Sequence, residues 1–257
     1  MNRRDVFRNA RNFALFYGHG EAEKLSRYEI AIVEPAGHDL SGLTLLRRSG
    51  ALVIGYISVV EIASWDSAGE LLQEEDFLEI AGEPVSNPAF GTRLIDLRSK
   101  RWKGILHQRI GRMLMHGGYD GVFLDTIGNV EWPGTSPALR EELTAGASEF
   151  VHDLRRFFPD RIIIQNNGLE ELIVRTASVI DAVCWENPPF AQSAAGGWCA
   201  TVTERLIRLS GEFGFRGLLL FEESSVLPAA LSEAERLTRN FGFLTYIAPP
   251  QYLDIRE

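Results

Sequence analysis

A chain of 257 residues, 45% hydrophobic and 24% charged, has the size of one barrel-type domain of about 250 residues. Its formal net charge of −9 argues against a nucleic-acid or anionic-membrane partner, since both need a basic face. Two cysteines, Cys184 and Cys199, cannot make a metal cluster or a disulfide scaffold; Cys184 lies in an apolar run, which favours a buried free thiol over a bridge.

The first ten residues lack the apolar core of a signal peptide, and no apolar run approaches the ~18 residues of a membrane span. The sequence therefore reads as cytoplasmic or as a trimmed mature domain. Short apolar, β-rich runs then follow one another at 13–17, 29–33, 52–58, 121–125, 161–165, 180–186, 217–221 and 243–247. Several are continuously apolar, as parallel strands covered on both faces should be. Helical patterns separate most of them. In the run 100–115, Trp102, Ile105, Leu106, Ile110, Met113 and Leu114 form one stripe, and Gly117-Gly118 ends it. Similar patterns occupy 137–158, 201–213 and 232–241, the last with Ser232 as expected N-cap and Glu235 three residues on. Eight strands alternating with helices predict a (β/α)₈ TIM barrel over 1–257, a single domain, with a doubly wound open sheet as the alternative. The stretch 59–99 is too long for a plain βα loop. It is expected to be a β3–α3 insertion on the catalytic face, with a helical piece around 71–78.

In such barrels the strands' C-terminal ends carry the chemistry. Here they end in Tyr17 and His19, Glu34, Ser58 with Glu61, Asp125, Asn166-Asn167, Trp185-Glu186, Glu222 and Tyr246. Carboxylates, amides and aromatics at one rim suit a carbohydrate, and two acids on non-adjacent strands supply the proton donor and nucleophile of glycosidic cleavage. The plainer reading is that an acid after a strand caps the next helix or is merely solvated; it weighs most on Glu34 and Glu222, least on Asp125 and Glu186. Asn166-Asn167-Gly168 could equally be a turn signal. The five histidines show no metal-ligand spacing, and three of them (His107, His116, His152) fall on expected helices. None of the three lysines ends a strand, which counts against Schiff-base chemistry. The loops after the last two strands lack a glycine-rich phosphate cradle. No metal or cofactor is expected.

The run Gly118-Tyr119-Asp120-Gly121-Val122-Phe123-Leu124-Asp125-Thr126 resembles the Gly-Phe-Asp-Gly-Val-Phe-Leu-Asp-Thr signature of glycoside hydrolase family 114, the endo-α-1,4-polygalactosaminidases and their barrel relatives. Val53–Ser58 followed by Glu61, Ile95–Arg98 followed by Trp102, Asn166–Gly168, Val183–Glu186 and Gly242–Ile247 match in the same order, so the likeness spans nearly the whole chain. The resemblance implies hydrolysis of α-1,4-linked galactosamine polymers, with Asp125 and Glu186 as the catalytic pair and Glu61 and Asp96 shaping an acidic groove. Members of the family are often secreted. Three positions depart from its pattern: Gly128 stands where a second Asp is common, Glu34 where an Asp is, and Val60-Glu61 replaces Gly-Glu. The exact sugar stays open.

The expected mechanism is retaining double displacement, Asp125 attacking while Glu186, its proton held by apolar Trp185 and a charged Asp125, protonates the leaving oxygen. Surplus acids (Glu61, Asp96, Glu222) would pair with an amino sugar's ammonium groups. Tyr17, Tyr56, Trp65, Trp185 and Tyr246 are the candidate stacking platforms. The competing reading is a non-catalytic carbohydrate-binding barrel.

Overall fold

The computed structural model describes residues 2–132, 134–192 and 196–256. Eight strands, β1 (Phe13–Phe16), β2 (Ile30–Val33), β3 (Leu52–Ser58), β4 (Gly121–Asp125), β5 (Ile162–Asn166), β6 (Ala182–Glu186), β7 (Arg216–Glu222) and β8 (Leu244–Ala248), form one sheet in chain order. Every pairing from β1–β2 to β7–β8 is parallel. The outer strands β1 and β8 lie side by side, so the sheet is a nearly closed TIM barrel rather than an open doubly wound layer. The apolar runs form these strands because both faces are covered: β1 and β2 are buried at every residue. Parallel pairing also puts all eight C-terminal strand ends on one rim, which is why residues scattered from Tyr17 to Tyr252 can meet.

The surrounding helices are α1 (Arg3–Asn9), α2 (Ala22–Leu25), α3 (Leu40–Arg48), α4 (Lys100–Met115), α5 (Pro137–Phe157), α6 (Leu172–Thr176), α7 (Gly196–Phe213) and α8 (Pro228–Phe241). Helix α4 occupies the expected residues, capped by the Ser99 side chain. Helix α8 starts before the expected Ser232: Pro228 fits its first turn, where a missing N–H costs nothing. Helix α1 was not anticipated from the sequence. It is tied to the barrel's N-terminal end, where Arg3 pairs with Asp120 (2.7 Å) and Arg4 with Asp181 (2.6 Å). These acids stand just before β4 and β6, and each also accepts a backbone N–H from the adjoining strand, Val53 and Ile163 respectively.

The insertion between β3 and α4 differs from expectation. Around 71–78 there is no α-helix; short 3₁₀ turns, Ser67–Leu71 and Glu74–Asp76, lie between the first and second strands of a small antiparallel sheet built from Glu61–Ala63, Ser86–Asn87 and Thr92–Leu94. Four acids in seven residues, Glu70, Glu74, Glu75 and Asp76, leave little apolar surface for an amphipathic helix to bury. Both cysteines are free and buried, as expected.

Two glycines are dictated by packing. A Cβ on Gly121 would come within 2.4 Å of the Ile162 carbonyl, and one on Gly217 within 2.3 Å of the Phe243 ring.

Candidate active site

Three successive strands hand their last residues to the mouth through one local device. The residue just past β4, β5 and β6 (Thr126, Asn167 and Asn187) adopts positive φ, 59°, 55° and 46°. Asparagine tolerates this left-handed region; threonine, being β-branched, does not without help. Thr126 is held there by its own hydroxyl, which accepts the N–H groups of Val59 (3.1 Å) and Val60 (3.0 Å). The two asparagines use their side chains alike. Asn167 donates its N–H to the Cys184 carbonyl and accepts the Glu186 N–H on Oδ1 (3.2 Å). Asn187 donates to the Leu220 carbonyl and accepts the Glu222 N–H (2.9 Å). Each staple extends the ladder beyond the strand end and fixes the height of an acid on the next strand.

Asp125 and Glu186 face each other across a single amide. Asn166 Nδ2 donates to Asp125 Oδ1 at 2.6 Å and to Glu186 Oε2 at 3.1 Å, so those two oxygens are separated by at most the combined length, 5.7 Å. With one amide hydrogen serving each oxygen the separation is about 5 Å. Each carboxylate's other oxygen accepts a phenol: Tyr56 donates to Asp125 Oδ2 (2.8 Å) and Tyr252 to Glu186 Oε1 (2.6 Å). Tyr17 packs edge-on against Tyr56 and Tyr252, with ring centroids 4.8 and 5.5 Å away. Burial first, and then the carboxylates, push the Tyr17, Tyr56 and Tyr252 hydroxyls up from their ordinary range, so all three stay protonated.

The same desolvation acts on the acids. Burial, followed by repulsion from Glu186, raises Asp125 from 3.8 to about 6, against the opposing donation from Asn166 and Tyr56. The carboxyl pushed up is thus Asp125. Trp185, expected to help Glu186 hold a proton, is buried on the other face of β6 against Phe190 and Trp198.

The other expected site residues fall into two groups. Tyr17, Tyr56, Asn166 and Asn167 join the carboxylates. Glu34 and Glu222 stand at the same rim, half-buried. Glu34 caps the 3₁₀ turn Pro35–Gly37 through the Ala36 N–H (3.1 Å), and burial raises its carboxyl. Glu222 accepts from Ser224 (2.8 Å) and from the Gln251 N–H (3.4 Å). The remainder serve the scaffold. Glu61 is buried and accepts from Asn87, Thr92 and Asn129 (2.7 Å), pinning the insertion to the loop after β4. Asp96 forks onto Arg98 at the start of α4, 2.6 Å at the closest. Tyr246 packs on Phe13 and Tyr28, toward the strands' N-terminal ends. Trp65 is 86% exposed beside Asp66, whose carboxylate pairs with Arg109 well down α4, so it lies on the barrel's flank.

Sequence reading missed Tyr252. It follows β8 by four residues, and the pattern there, Pro249-Pro250-Gln251, signals only a turn. The residues before it gave one clue, an aromatic immediately past a strand-end turn. Gly128, which stands where the family resemblance leads one to expect a second Asp, has a steric reason: a Cβ there would lie 2.6 Å from the Gly168 nitrogen and 2.7 Å from the Asn167 Cβ. Among the described residues, no three His, Cys, Asp or Glu side chains are arranged to hold a metal ion, and no helix is long and apolar enough to cross a membrane.

A family model described as glycoside-hydrolase family GH114 matches residues 11–203, about three quarters of the chain. A search of the curated proteins finds no match. Among solved structures, the glycoside hydrolase domain of PelA from Pseudomonas aeruginosa is similar over 96% of this chain and 98% of its own, at 20% identity and TM-score 0.76. Ega3 of Aspergillus fumigatus, in complex with galactosamine, is similar over 95% and 92% at 16% identity and TM-score 0.66. The α-galactosidase TtGalA of Thermus thermophilus is similar over 98% of this chain but 63% of its own, at 13% identity and TM-score 0.62. At these identities the likenesses establish the barrel fold.

Proposed function

Since this chain belongs to glycoside-hydrolase family GH114, we propose that it cleaves α-1,4-linked, galactosamine-type polysaccharide with Asp125 and Glu186, by double displacement with retention. The observation that carries this reading is the single Asn166 amide shared by the two carboxylates, which keeps their facing oxygens within 5.7 Å. That spacing supports a retaining pair, about 5–5.5 Å apart, over an inverting pair at roughly 6.5–9.5 Å.

In the first step Asp125 attacks the anomeric carbon, the bond from that carbon to the glycosidic oxygen breaks, and Glu186 gives its proton to the departing oxygen. In the second, water attacks the anomeric carbon, the ester to Asp125 breaks, and Glu186 takes the water's proton. Asn166 steadies both carboxylates throughout. The competent form has Asp125 ionised and the proton on Glu186; burial and Glu186 raise Asp125 to about 6, so the nucleophile is ionised above about that pH.

An amino sugar brings a positive charge. Of the acids expected to meet it, Glu222 keeps neutral donors as partners at the rim, as does Glu34, so their charge is available to an ammonium group. Glu61 is enclosed and Asp96 is neutralised by Arg98. The galactosamine bound to Ega3 is in keeping with this choice of sugar.

The test is incubation with α-1,4-linked galactosamine oligomers of graded acetylation, with the first product anomer followed by proton NMR. Early α-anomer supports retention; early β-anomer overturns the mechanism. Tight binding without cleavage of any such oligomer would instead identify a carbohydrate-binding barrel.

A further inference from the structure

Tyr252 lies beyond residues 11–203, the span matched by the family, yet it makes one of the two shortest contacts to the catalytic pair. Its hydroxyl donates to Glu186 Oε1 at 2.6 Å and lies 3.4 Å from Asn187 Nδ2. The segment that delivers it is anchored at several points. The Tyr252 carbonyl accepts the Tyr17 N–H (2.8 Å), the Tyr28 hydroxyl reaches the Arg256 carbonyl (3.1 Å), and Ile255 is buried. Gln251 and Tyr252 both adopt left-handed backbone, φ 58° and 59°. A tyrosine there is strained, and the turn reverses the chain so that the ring drops into the mouth against Tyr17.

Resting on the glycosidase reading, we infer that Tyr252 is a positioning residue for Glu186, holding Oε1 so that Oε2 is the oxygen presented to the glycosidic linkage. Glu186 has two oxygens and two donors. Asn166 meets Oε2 on the side of Asp125, where the anomeric carbon must lie between the acids. Tyr252 meets the other oxygen, Oε1. With Oε1 engaged, the carboxyl plane cannot turn, and the exchangeable proton resides on the oxygen that needs it. Tyr252 keeps its own proton, since its hydroxyl is raised by burial and by Glu186. The other titratable groups facing Glu186 are Asp125 from β4, Tyr17 from the end of β1 and Cys184 one turn of the pleat beneath it; Glu222 of β7 meets the Gln251 N–H beside Tyr252. None of these donates to Oε1, so the phenol is its named partner.

Tyr252→Phe keeps the ring on Tyr17 and removes only the hydroxyl. Loss of a hydrogen bond to a charged group predicts a kcat lower by about 10- to 100-fold with KM within about twofold. The ionised carboxylate would lose a donor, so the alkaline limb of the pH–rate profile moves up by about one pH unit. A second readout needs no substrate: ¹³C NMR titration of the carboxyl carbons, with Glu186 assigned through Glu186→Gln. Its midpoint rises in Tyr252→Phe if the phenol holds the carboxylate. An unmoved midpoint overturns the inference whatever the kinetics. Active wild type with unchanged variant kinetics does the same, leaving the glycosidase reading intact. A moved midpoint in a protein that cleaves nothing would uphold the hold on Glu186 and sink the glycosidase reading.

Discussion

Replacing Asp125 by Asn should make the protein more stable at neutral pH while abolishing its chemistry. A carboxyl whose pKa rises from 3.8 unfolded to about 6 folded ionises at a cost of about 3 kcal/mol in the native state above that pH. The sign follows from proton binding. Between the two values the folded chain holds the proton and the unfolded chain does not, so stability falls as pH rises from about 4 to about 6 and levels off above. The amide cannot ionise and escapes this penalty. It keeps an oxygen for Asn166 Nδ2, but its NH₂ cannot accept the Tyr56 hydroxyl, a loss of about 1 kcal/mol. The net gain at pH 7.5 is about 2 kcal/mol, or a rise in Tm of roughly 4–8 °C for a domain of this size. At pH 4 the gain should vanish or reverse by about 1 kcal/mol. Paired thermal melts of wild type and Asp125→Asn at both pH values measure it. An equal Tm at pH 7.5, or a difference that does not depend on pH, would refute the reasoning that burial and Glu186 set the Asp125 ionisation.

Further outcomes follow from the same geometry. Wild-type kcat/KM should fall about tenfold per pH unit below about pH 6, as the nucleophile Asp125 takes up a proton; a profile flat down to about pH 4 would contradict a raised Asp125. Glu186→Gln should lower hydrolysis of a galactosamine oligomer at least 10²-fold, with oligomer binding retained in calorimetry; unchanged turnover would remove Glu186 from the chemistry. Glu61→Leu should cost about 2–4 kcal/mol in urea denaturation, because Asn87, Thr92 and Asn129 all lose their buried acceptor; wild-type stability would show that the insertion is held otherwise. Gly121→Ala should destabilise by about 2 kcal/mol or more, since the Ile162 backbone cannot yield to the added carbon.

The barrel was legible because its strands are buried on both faces, so apolar runs such as 52–58 and 121–125 stand out from their helical surroundings. The meeting of Asp125 and Glu186 was legible because parallel strands leave their C-terminal residues on one rim, and an acid closing an apolar run has few other reasons to be there. Aromatic assignments fared unevenly. Tyr17 and Tyr56 reach the mouth, whereas Trp185 and Tyr246 do not, and a strand's alternation decides which face each meets only once its register is known. Glu61 and Asp96 look like groove acids in one dimension. Their donors, Asn87, Thr92, Asn129 and Arg98, come partly from distant segments, so neutralisation or enclosure is visible only in three dimensions. Tyr252 sits in a turn whose left-handed backbone no local pattern announces. Helix α1 escaped notice because seven residues carry too little periodicity.

The glycine at 128 has a consequence for how mouths of this kind diversify. An aspartate grafted there would have to force the loop after β4 away from the turn after β5, since its first side-chain carbon already has the Gly168 nitrogen at 2.6 Å. A relative with an acid at that place must therefore space those two loops differently. Exchanging one residue between such barrels should fail where transplanting both loops together succeeds, so the number of acids around the sugar is inherited as a property of paired loops.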